Sequence, residues 1–368
     1  MGLLLTEDEK MLQESAAGFF ADKAPVSQIR ALRDDRDATG YSKELWLEMS
    51  EMGFTGVLVD AENGGFDMGF MAAGLIAEQM GKNLSASPFL SSSVLAATAL
   101  KMAGDKQAAK LLPEIVSGKM VMALAVDEGG KHNPDAIQMT ASPSGNGFKL
   151  NGKKSMVVDG HMADQIIVVA QTDDGLTLFV VPTDAKGLDT ERTIMVDSRN
   201  AARMVFEDVE VTGEQVLGEV GKGADILNTV LNAGRAVLAA EMLGAASQVF
   251  QTTNDYLKER KQFGKIIGEF QALQHRMAHL YCELELARTS VLTALTALDK
   301  NPKSAGPFVS MAKAKLGSVA KLAALESVQL HGGMGMTDEL DIGLYLKRIR
   351  VAQELLGDAD YHIAQITK

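Results

Sequence analysis

One segment in the last third of the chain has residue types suited to binding a pyrophosphate. It runs Tyr256–His275 and places Arg260, Gln262 and Phe263 just before a glycine. An arginine guanidinium donates two parallel hydrogen bonds to a phosphate group. Phe263 and Gly264 are predicted to end a helix and to offer an apolar surface. The alternative interpretation of the segment is an ordinary helix C-cap.

A second segment, Gln329–Thr337, contains three closely spaced glycines, at Gly332, Gly333 and Gly335. A glycine has no side chain, so the backbone N–H groups around it can approach an anionic dinucleotide. The structural alternative is a tight turn between helices. Both segments together predict a dinucleotide-binding surface.

The elements that must position these segments are predicted to be long helices. Apolar residues recur with helical period over about 223–259, 269–299, 304–331 and 340–356, which predicts a four-helix bundle. Residues from about 6 to 118 are also predicted to be helical. Thr6 and Glu9 have the spacing of a capping box, and Ser42 is a plausible N-cap for the helix that follows it.

Residues from about 119 to 212 differ in character, because they form short runs rich in β-branched residues. The predicted strands are 121–126, 148–150, 155–158, 165–171, 176–181 and 202–211. Asn151-Gly152 between two of them indicates a type I′ hairpin, and the close spacing favours a small antiparallel sheet. We therefore predict an α+β, mainly α fold with a helical domain at 1–118, a β domain at 119–218 and a four-helix bundle at 219–368.

Composition excludes several classes of function. The 368 residues carry a formal net charge of −12, which argues against binding to nucleic acid or to an anionic membrane surface. Cys282 is the single cysteine, so neither an intrachain disulfide nor a cysteine-rich zinc site is expected. The first residues include no basic stretch of a secretory signal, and a cytoplasmic location is expected.

The sequence contains one partial phosphate-binding motif and one partial zinc-binding motif, and each lacks a residue that its function requires. Gly147–Lys153 resembles a P-loop but is followed by Lys154 instead of serine or threonine. His275 and His279 have the spacing of a zinc-protease pair but lack the glutamate between them. No metal site is predicted.

The arginine-containing segment Tyr256–His275 and the glycine-rich segment Gln329–Thr337 both resemble the flavin-binding signatures of the acyl-CoA dehydrogenases. The order of helical domain, small β domain and four-helix bundle is also similar to that family. The resemblance implies FAD as cofactor, an acyl-CoA thioester as substrate and an electron-transfer flavoprotein as electron acceptor. It also implies that Gln262 and Gln329 belong to the cofactor-binding residues. It further implies that the two segments reach across a dimer interface to the ADP half of FAD, whose isoalloxazine half lies on the β domain of the other chain.

The C-terminal segment resembles one branch of the family more closely. Tyr345–Arg348 and Leu356–His362 are similar to the small subunit of pimeloyl-CoA dehydrogenase and to other heteromeric acyl-CoA or steroid-CoA dehydrogenases. This resemblance implies either a homodimer or homotetramer, or an α2β2 heterotetramer with a second acyl-CoA dehydrogenase-like subunit.

The sequence departs from the family where the β domain meets the flavin. Asp127-Glu128-Gly129 stands at the place of a Thr-Glu-Pro strand end, and Met156-Val157-Val158 replaces Trp-Ile-Thr. Val158 falls at the predicted flavin edge, where it cannot replace the hydrogen bond of a threonine hydroxyl.

The sequence departs again at the catalytic base, which removes the α-proton of the thioester. The two family positions for a glutamate are Gly234 and Leu356 here, and neither is acidic. Glu241 follows Gly234 by two helical turns, and Asp358 follows Leu356 by two residues, so both are candidate bases. The alternatives are a core carboxylate paired within the bundle and a loop residue. Arg235 matches a family arginine near the acyl-CoA and is a candidate substrate contact.

Three hypotheses about activity remain open from the sequence. In the first, the chain is a working FAD-dependent acyl-CoA dehydrogenase, either by itself or as the base-poor subunit of an α2β2 complex. Alternatively, it is a non-catalytic scaffold that completes a partner's FAD site. The third hypothesis is a flavin-dependent oxygenating enzyme on the same fold.

Overall fold

The computed structural model describes residues 4–104 and 106–367. The chain divides into two compact units, which are not contiguous in sequence. One, the helical unit, comprises Met1–Ala31, Gly74–Ser85 and Arg235–Lys368. The other, the sheet unit, comprises Leu32–Ala73 and Ala86–Gly234. This two-unit division differs from the predicted division at residues 118 and 218, whose boundaries stay a prediction.

The long C-terminal helices have the bounds that helical periodicity predicts, within a few residues. They are α7 (Gly223–Glu259), α8 (Gln271–Lys300), α9 (Gly306–His331) and α10 (Ile342–Glu354). The sequence analysis did not predict a fifth helix, α11 (Ala359–Ile366). Between α7 and α8 lies a two-stranded hairpin of β9 (Lys261–Gln262) and β10 (Lys265–Ile266), and a 3₁₀ turn over Gly332–Met336 follows α9.

The N-terminal third is helical, as predicted. Its α-helices are α1 (Glu7–Lys23), α2 (Val26–Asp34), α3 (Lys43–Glu51), α4 (Gly69–Asn83), α5 (Ala97–Ala103) and α6 (Lys106–Val116). A π-helical segment, Phe89–Ala96, leads into α5. The capping box of Thr6 and Glu9 is present, and Ser42 caps α3 by accepting from the Leu45 N–H. Across the described residues, no helix has the length and hydropathy needed to cross a bilayer.

The sheet unit is built around an eight-stranded sheet. Its strands are β1 (Met122–Ala125), β2 (Thr140–Ser144), β3 (Gly147–Val158), β4 (Gln165–Thr172), β5 (Gly175–Pro182), β6 (Leu188–Ile194), β7 (Asn200–Thr212) and β8 (Val216–Leu217). The order is β6-β7-β3-β2-β4-β5-β8, with β1 beside β4. The prediction of an antiparallel sheet is only partly right, since β1 and β2 each pair with β4 in parallel. The β2–β3 hairpin lies between β1 and β4 in sequence, and such a crossover permits parallel pairing.

The predicted hairpin at Asn151-Gly152 is wrong. Both residues lie inside the continuous strand β3, where the register against β7 shifts between Leu150 and Gly152. The Asn151 side chain bonds across to Asp208, while a Cβ at Gly152 would meet Met139 Cγ at 2.9 Å. Asn-Gly therefore marks a bulge with a close approach. The turn itself lies between Ser144 and Gly147.

Candidate functional site

The predicted pyrophosphate-binding side chains lie on the hairpin after α7. The helix ends at Glu259, before the predicted helix end at Phe263 and Gly264, which instead form the hairpin's turn. Both turn residues have positive φ, of 53° and 78°. Arg260, Gln262 and Phe263 are all exposed, and Phe263 is 91% exposed. An apolar ring held this far into solvent at a positive-φ position indicates a surface that contacts another molecule.

The glycine-rich segment forms the turn that ends α9. Gln329 is exposed on the last turn of the helix, and Gly332 has φ 60° and ψ −138°, a backbone conformation reserved for glycine. A Cβ at Gly332 or Gly333 would meet nothing within 4 Å, so the backbone there is open to a ligand. Gly335 has a different role, because a Cβ there would lie 2.5 Å from the Val328 oxygen.

Aromatic stacking brings the two segments together. Tyr256, one turn before the end of α7, stacks on His331 at the end of α9, with ring centroids 4.3 Å apart. Beside this pair, Leu257 and Leu330 pack with Met277 of α8. The arginine-bearing hairpin and the glycine turn therefore share one end of the helical unit.

This end of the helical unit fits the ADP half of FAD. Arg260 offers a guanidinium to a pyrophosphate, and the open backbone at Gly332 and Gly333 offers N–H groups. Phe263, which is 91% exposed, offers an apolar face to a ligand. The predicted roles of these residues and of Gln262, Gln329 and Gly335 stay predictions.

The strand ends of the sheet unit fit the isoalloxazine half less well. Val158 lies in β3, where it pairs with Ala201, and it has no hydroxyl to offer a flavin edge. Met156, two residues earlier, has φ 53° at a register shift of the strand. At the end of β1, the Asp127 carboxylate binds His132 Nδ1 at 2.9 Å and accepts from the Asn133 N–H at 3.2 Å.

Sequence analysis missed a buried ion pair beside these strand ends. Lys154 Nζ donates to Glu128 Oε1 at 2.8 Å and to the Val126 oxygen at 2.9 Å. Burial lowers the pKa of Lys154, and the Glu128 carboxylate opposes that effect. Burial is the largest single influence on the pKa of Glu128 and would raise it. The hydrogen bond and charge of Lys154, together with the N–H groups of Gln138 and Met139, outweigh burial, so the net direction is downward. The sequence signal for this pair was Lys154 itself, a charged residue at a position of β3 where the alternation of apolar and polar residues places a buried side chain.

Glu241, the first candidate base, lies in the core of the helical unit. It is 6% exposed, and both its oxygens bind Arg348 of α10, with Nε–Oε1 and Nη2–Oε2 distances of 2.8 Å. This bidentate geometry matches the alternative of a core carboxylate paired within the bundle. The prediction that Glu241 acts as a base stays untested. Gly234, the family base position two turns earlier, is buried in the same helix.

Asp358, the second candidate base, starts a helix. It lies in the expected non-helical segment after α10, where it is the N-cap of α11 and accepts from the Tyr361 N–H at 2.8 Å. An N-cap aspartate satisfies an otherwise unpaired helical N–H, which gives the residue a structural role. Its role as a base stays a prediction.

Arg235, the candidate substrate contact, turns inward towards the segment that contains Leu356. Its Nε donates to the Leu356 oxygen at 3.0 Å and its Nη2 to the Tyr361 hydroxyl at 3.0 Å. The guanidinium lies 5.3 Å from the centroid of the Tyr361 ring. Whether Arg235 also contacts the acyl-CoA stays a prediction. Among residues 4–104 and 106–367, no group of three or more His, Cys, Asp or Glu side chains is placed to hold a metal ion.

Comparison with known proteins covers nearly the whole chain. Family models of the acyl-CoA dehydrogenase N-terminal, middle and C-terminal domains match residues 6–119, 122–209 and 221–368. The chain is 28% identical to the mitochondrial short/branched chain specific acyl-CoA dehydrogenase of Rattus norvegicus, over 98% of this chain and 85% of that protein. It is 29% identical to the caffeyl-CoA reductase-Etf complex subunit CarC of Acetobacterium woodii, over 95% and 94% of the two chains.

A solved structure agrees along its full length. A variant of the Tcur3481-Tcur3483 steroid ACAD superposes with a TM-score of 0.90 at 30% identity, covering 98% of this chain and 97% of that chain. The match of all three domain models, in order, and the shared fold lead to one conclusion. This chain belongs to the acyl-CoA dehydrogenase family, the FAD-dependent oxidoreductases that act on CH–CH groups.

Proposed function

We propose that this chain is the base-poor subunit of a heteromeric acyl-CoA dehydrogenase, an α2β2 complex with a second acyl-CoA dehydrogenase-like chain. The observation that carries the proposal is an asymmetry. The residues that a subunit offers to its neighbour's flavin, such as Arg260 and Phe263, are retained and exposed. The positions for a base are Gly234 and Leu356, and the flavin-edge position is Val158.

In this proposal, FAD would supply the hydride acceptor for desaturation of an acyl thioester, and a carboxylate would remove the α-proton. Arg260 and the backbone at Gly332 and Gly333 would hold the pyrophosphate of the cofactor, and Phe263 would cover an apolar part of it. These residues bind and orient, and they move no proton. The carboxylate comes from the partner chain.

Two carboxylates of this chain are then structural. Glu241 neutralises Arg348 inside the bundle, and Asp358 caps α11. A general base needs a lone pair directed at the substrate proton, whereas both Glu241 oxygens are directed at one guanidinium. Arg235 acts from within the fold by holding the Leu356 carbonyl.

The comparisons support the heteromer and the electron acceptor. One similar structure is named for a pair of gene products, Tcur3481-Tcur3483, and one relative is named as a subunit of an Etf complex. We propose an electron-transfer flavoprotein as acceptor for this chain's complex as well. Turnover assays with dicarboxylyl-, aromatic and steroid-CoA thioesters would identify the acyl group of the substrate.

Flavin stoichiometry tests the proposal. The chain is purified alone and after co-expression with acyl-CoA dehydrogenase-like chains of the same organism, and flavin absorbance is measured with the solution mass. We expect a colourless chain alone, and two flavins per four chains in the complex, bleached by an acyl-CoA. One flavin per chain in a homo-oligomer that turns over would refute it.

A pair of arginine variants localises the contribution of this chain. Arg260→Ala should strip flavin from the complex without dissociating it. The matched control is Arg350→Ala, which removes another exposed arginine, one that pairs with Glu354 one helical turn away. Flavin retained in full by Arg260→Ala would show that this arginine does not hold the cofactor. Reoxidation by O₂ that outpaces reoxidation by electron-transfer flavoprotein would show an oxygenating enzyme instead.

A further inference from the structure

The turn between α10 and α11 has a backbone that its own sequence does not favour. Leu356 has φ 59°, although it is neither glycine nor asparagine, and Gly357 follows with φ 105°. A branched side chain is sterically strained in the left-handed region, where Cβ comes too close to the following carbonyl oxygen. Such a conformation persists only where the surrounding structure fixes it. The contacts made by this turn, Leu355–Asp358, are therefore informative.

A buried lysine of α9 binds the turn from inside. Lys313 is 1% exposed, and its Nζ donates to the carbonyl oxygens of Ala352 at 2.9 Å, Gln353 at 3.1 Å and Gly357 at 2.9 Å. An ammonium has three N–H donors, so all three are used. Two of the acceptors are carbonyls of the last turn of α10, where a cation also interacts favourably with the helix dipole.

Two further side chains bind a second carbonyl of the turn, that of Leu356. The Leu356 oxygen accepts from Arg235 Nε at 3.0 Å and from His362 Nε2 at 3.2 Å. The other ring nitrogen of His362 lies 3.2 Å from the hydroxyl of Ser310, one turn before Lys313 on α9. The turn also has no spare room, because a Cβ at Gly357 would lie 2.5 Å from the Tyr361 ring.

We propose that Lys313 is a positioning residue that fixes the turn Leu355–Asp358 while it carries its third proton and loosens the turn when that proton leaves. A neutral amine has two N–H groups, so it can donate to only two of the three carbonyls. The third is then buried without a donor, which is unfavourable in a dry site. The left-handed turn is then stabilised by one hydrogen bond fewer from Lys313. This inference stands on the contacts of Lys313 and is independent of the proposed heteromer.

The surroundings place the change near neutral pH. The pKa of Lys313 is lowered to about 7, mainly by burial and then by the positive charge of Arg235 from α7, while Glu354 of α10 and Asp358 at the start of α11 act in the opposite direction. His362 and Tyr361 of α11 are further titratable groups that face this turn.

Local and global effects of this proton have opposite signs. In the unfolded chain a lysine keeps its proton up to about pH 10.4, so between about pH 7 and pH 10 the unfolded state binds more protons than the folded state. The contribution of Lys313 to the free energy of unfolding therefore rises with pH in that window. Loosening of the turn is thus distinct from general alkaline unfolding.

Hydrogen–deuterium exchange of the full chain tests the proposal. Exchange is corrected for intrinsic rates and followed in a peptide spanning the turn and α11, with a peptide from α8 as internal reference. Between about pH 6 and about pH 8.5 we expect protection of the turn peptide to fall by about tenfold, the effect of losing one hydrogen bond. The α8 peptide should not change.

Three variants give the control readings. Lys313→Arg stays charged at both pH values and should keep the turn protected at both. Lys313→Met should leave it poorly protected at both. Lys315→Met removes a lysine from the same helix, one that pairs with Glu283 on the surface, and should behave like the wild-type protein.

The comparison of wild type with Lys313→Arg decides the proposal even if Lys313→Met does not fold. A wild-type turn whose protection is independent of pH would overturn the proposal. A Lys313→Arg turn that loosens with the same midpoint as wild type would also overturn it, since another group would then be responsible.

Discussion

Replacing Glu241 by glutamine separates a structural role from a catalytic one. The carboxylate and the Arg348 guanidinium form two hydrogen bonds of 2.8 Å and are 6% and 5% exposed, respectively. Glutamine keeps the shape but removes the negative charge. The Arg348 cation then remains buried without its counter-charge.

The size of the effect follows from that stranded charge. Removing one partner of a buried ion pair costs about 3–5 kcal/mol, and each kcal/mol corresponds to about 2–4 °C in a unit of this size. We expect Glu241→Gln to lower the melting temperature of the helical unit by about 6–20 °C. Arg348→Met should have a similar effect. The double variant Glu241→Leu with Arg348→Met should recover most of the loss, since apolar replacement of a buried pair is close to neutral.

The assay combines thermal unfolding with turnover. Circular dichroism at the helical minimum follows melting of these variants and of the single variant Glu241→Leu. The cycle formed by Glu241→Leu, Arg348→Met and their double variant gives the coupling energy of the pair. Turnover of the flavin-loaded protein is then measured well below the lowest melting temperature. If Glu241 is structural, all the variants retain turnover within a few-fold while they remain folded.

A catalytic Glu241 would give a different pattern. Loss of a general base lowers turnover by about 10²–10⁴-fold. Such a loss in Glu241→Gln, with an unchanged melting temperature and a normal rate in Arg348→Met, would refute the structural assignment. Glu241 would then be the base that this chain's family positions lack.

Three further variants test other parts of the structure. Gly357→Ala should lower the free energy of unfolding, measured by urea titration, by about 1–3 kcal/mol, because φ of Gly357 is 105° and the Tyr361 ring fills the Cβ position. The control is Gly343→Ala in α10, where the Cβ position is open. It should be neutral or stabilising by up to about 1 kcal/mol in the same titration. Lys154→Met should lower the free energy of unfolding by about 1.5–3 kcal/mol, measured the same way, because the partly exposed Glu128 carboxylate loses its charged donor but keeps the N–H groups of Gln138 and Met139. An unchanged urea midpoint would contradict this. Phe263→Ser should leave the melting temperature of the free chain unchanged, since the ring is 91% exposed, but should speed loss of flavin from the complex on dilution, and equal retention of flavin would show that the ring does not contact it.

The helices were predictable because their signals are local. A period of 3.6 in apolar residues gave α7, α8, α9 and α10 to within a few residues, and the side-chain oxygens of Thr6 and Ser42 cap the helices that follow them. The short helix α11 was missed, because eight residues carry too little periodicity, although Asp358 in front of it is a typical N-cap.

The sheet was less predictable because strand pairing depends on distant residues. Asn151-Gly152 has the composition of a hairpin turn, yet the register between β3 and β7 turns it into a bulge. Parallel pairing of β1 with β4 depends on the path of the intervening chain, which no short pattern records.

The sequence by itself determined the family and the absence of acidic residues at Gly234 and Leu356, since residue identity and order are enough for those conclusions. It also predicted the nucleotide-binding segments. Only the tertiary structure decided which charges meet. Glu241 faces Arg348 from more than a hundred residues away, and Lys313 reaches three carbonyls some forty residues later in the chain. Burial makes each of those encounters either strongly favourable or costly, and burial exists only once the helices have packed.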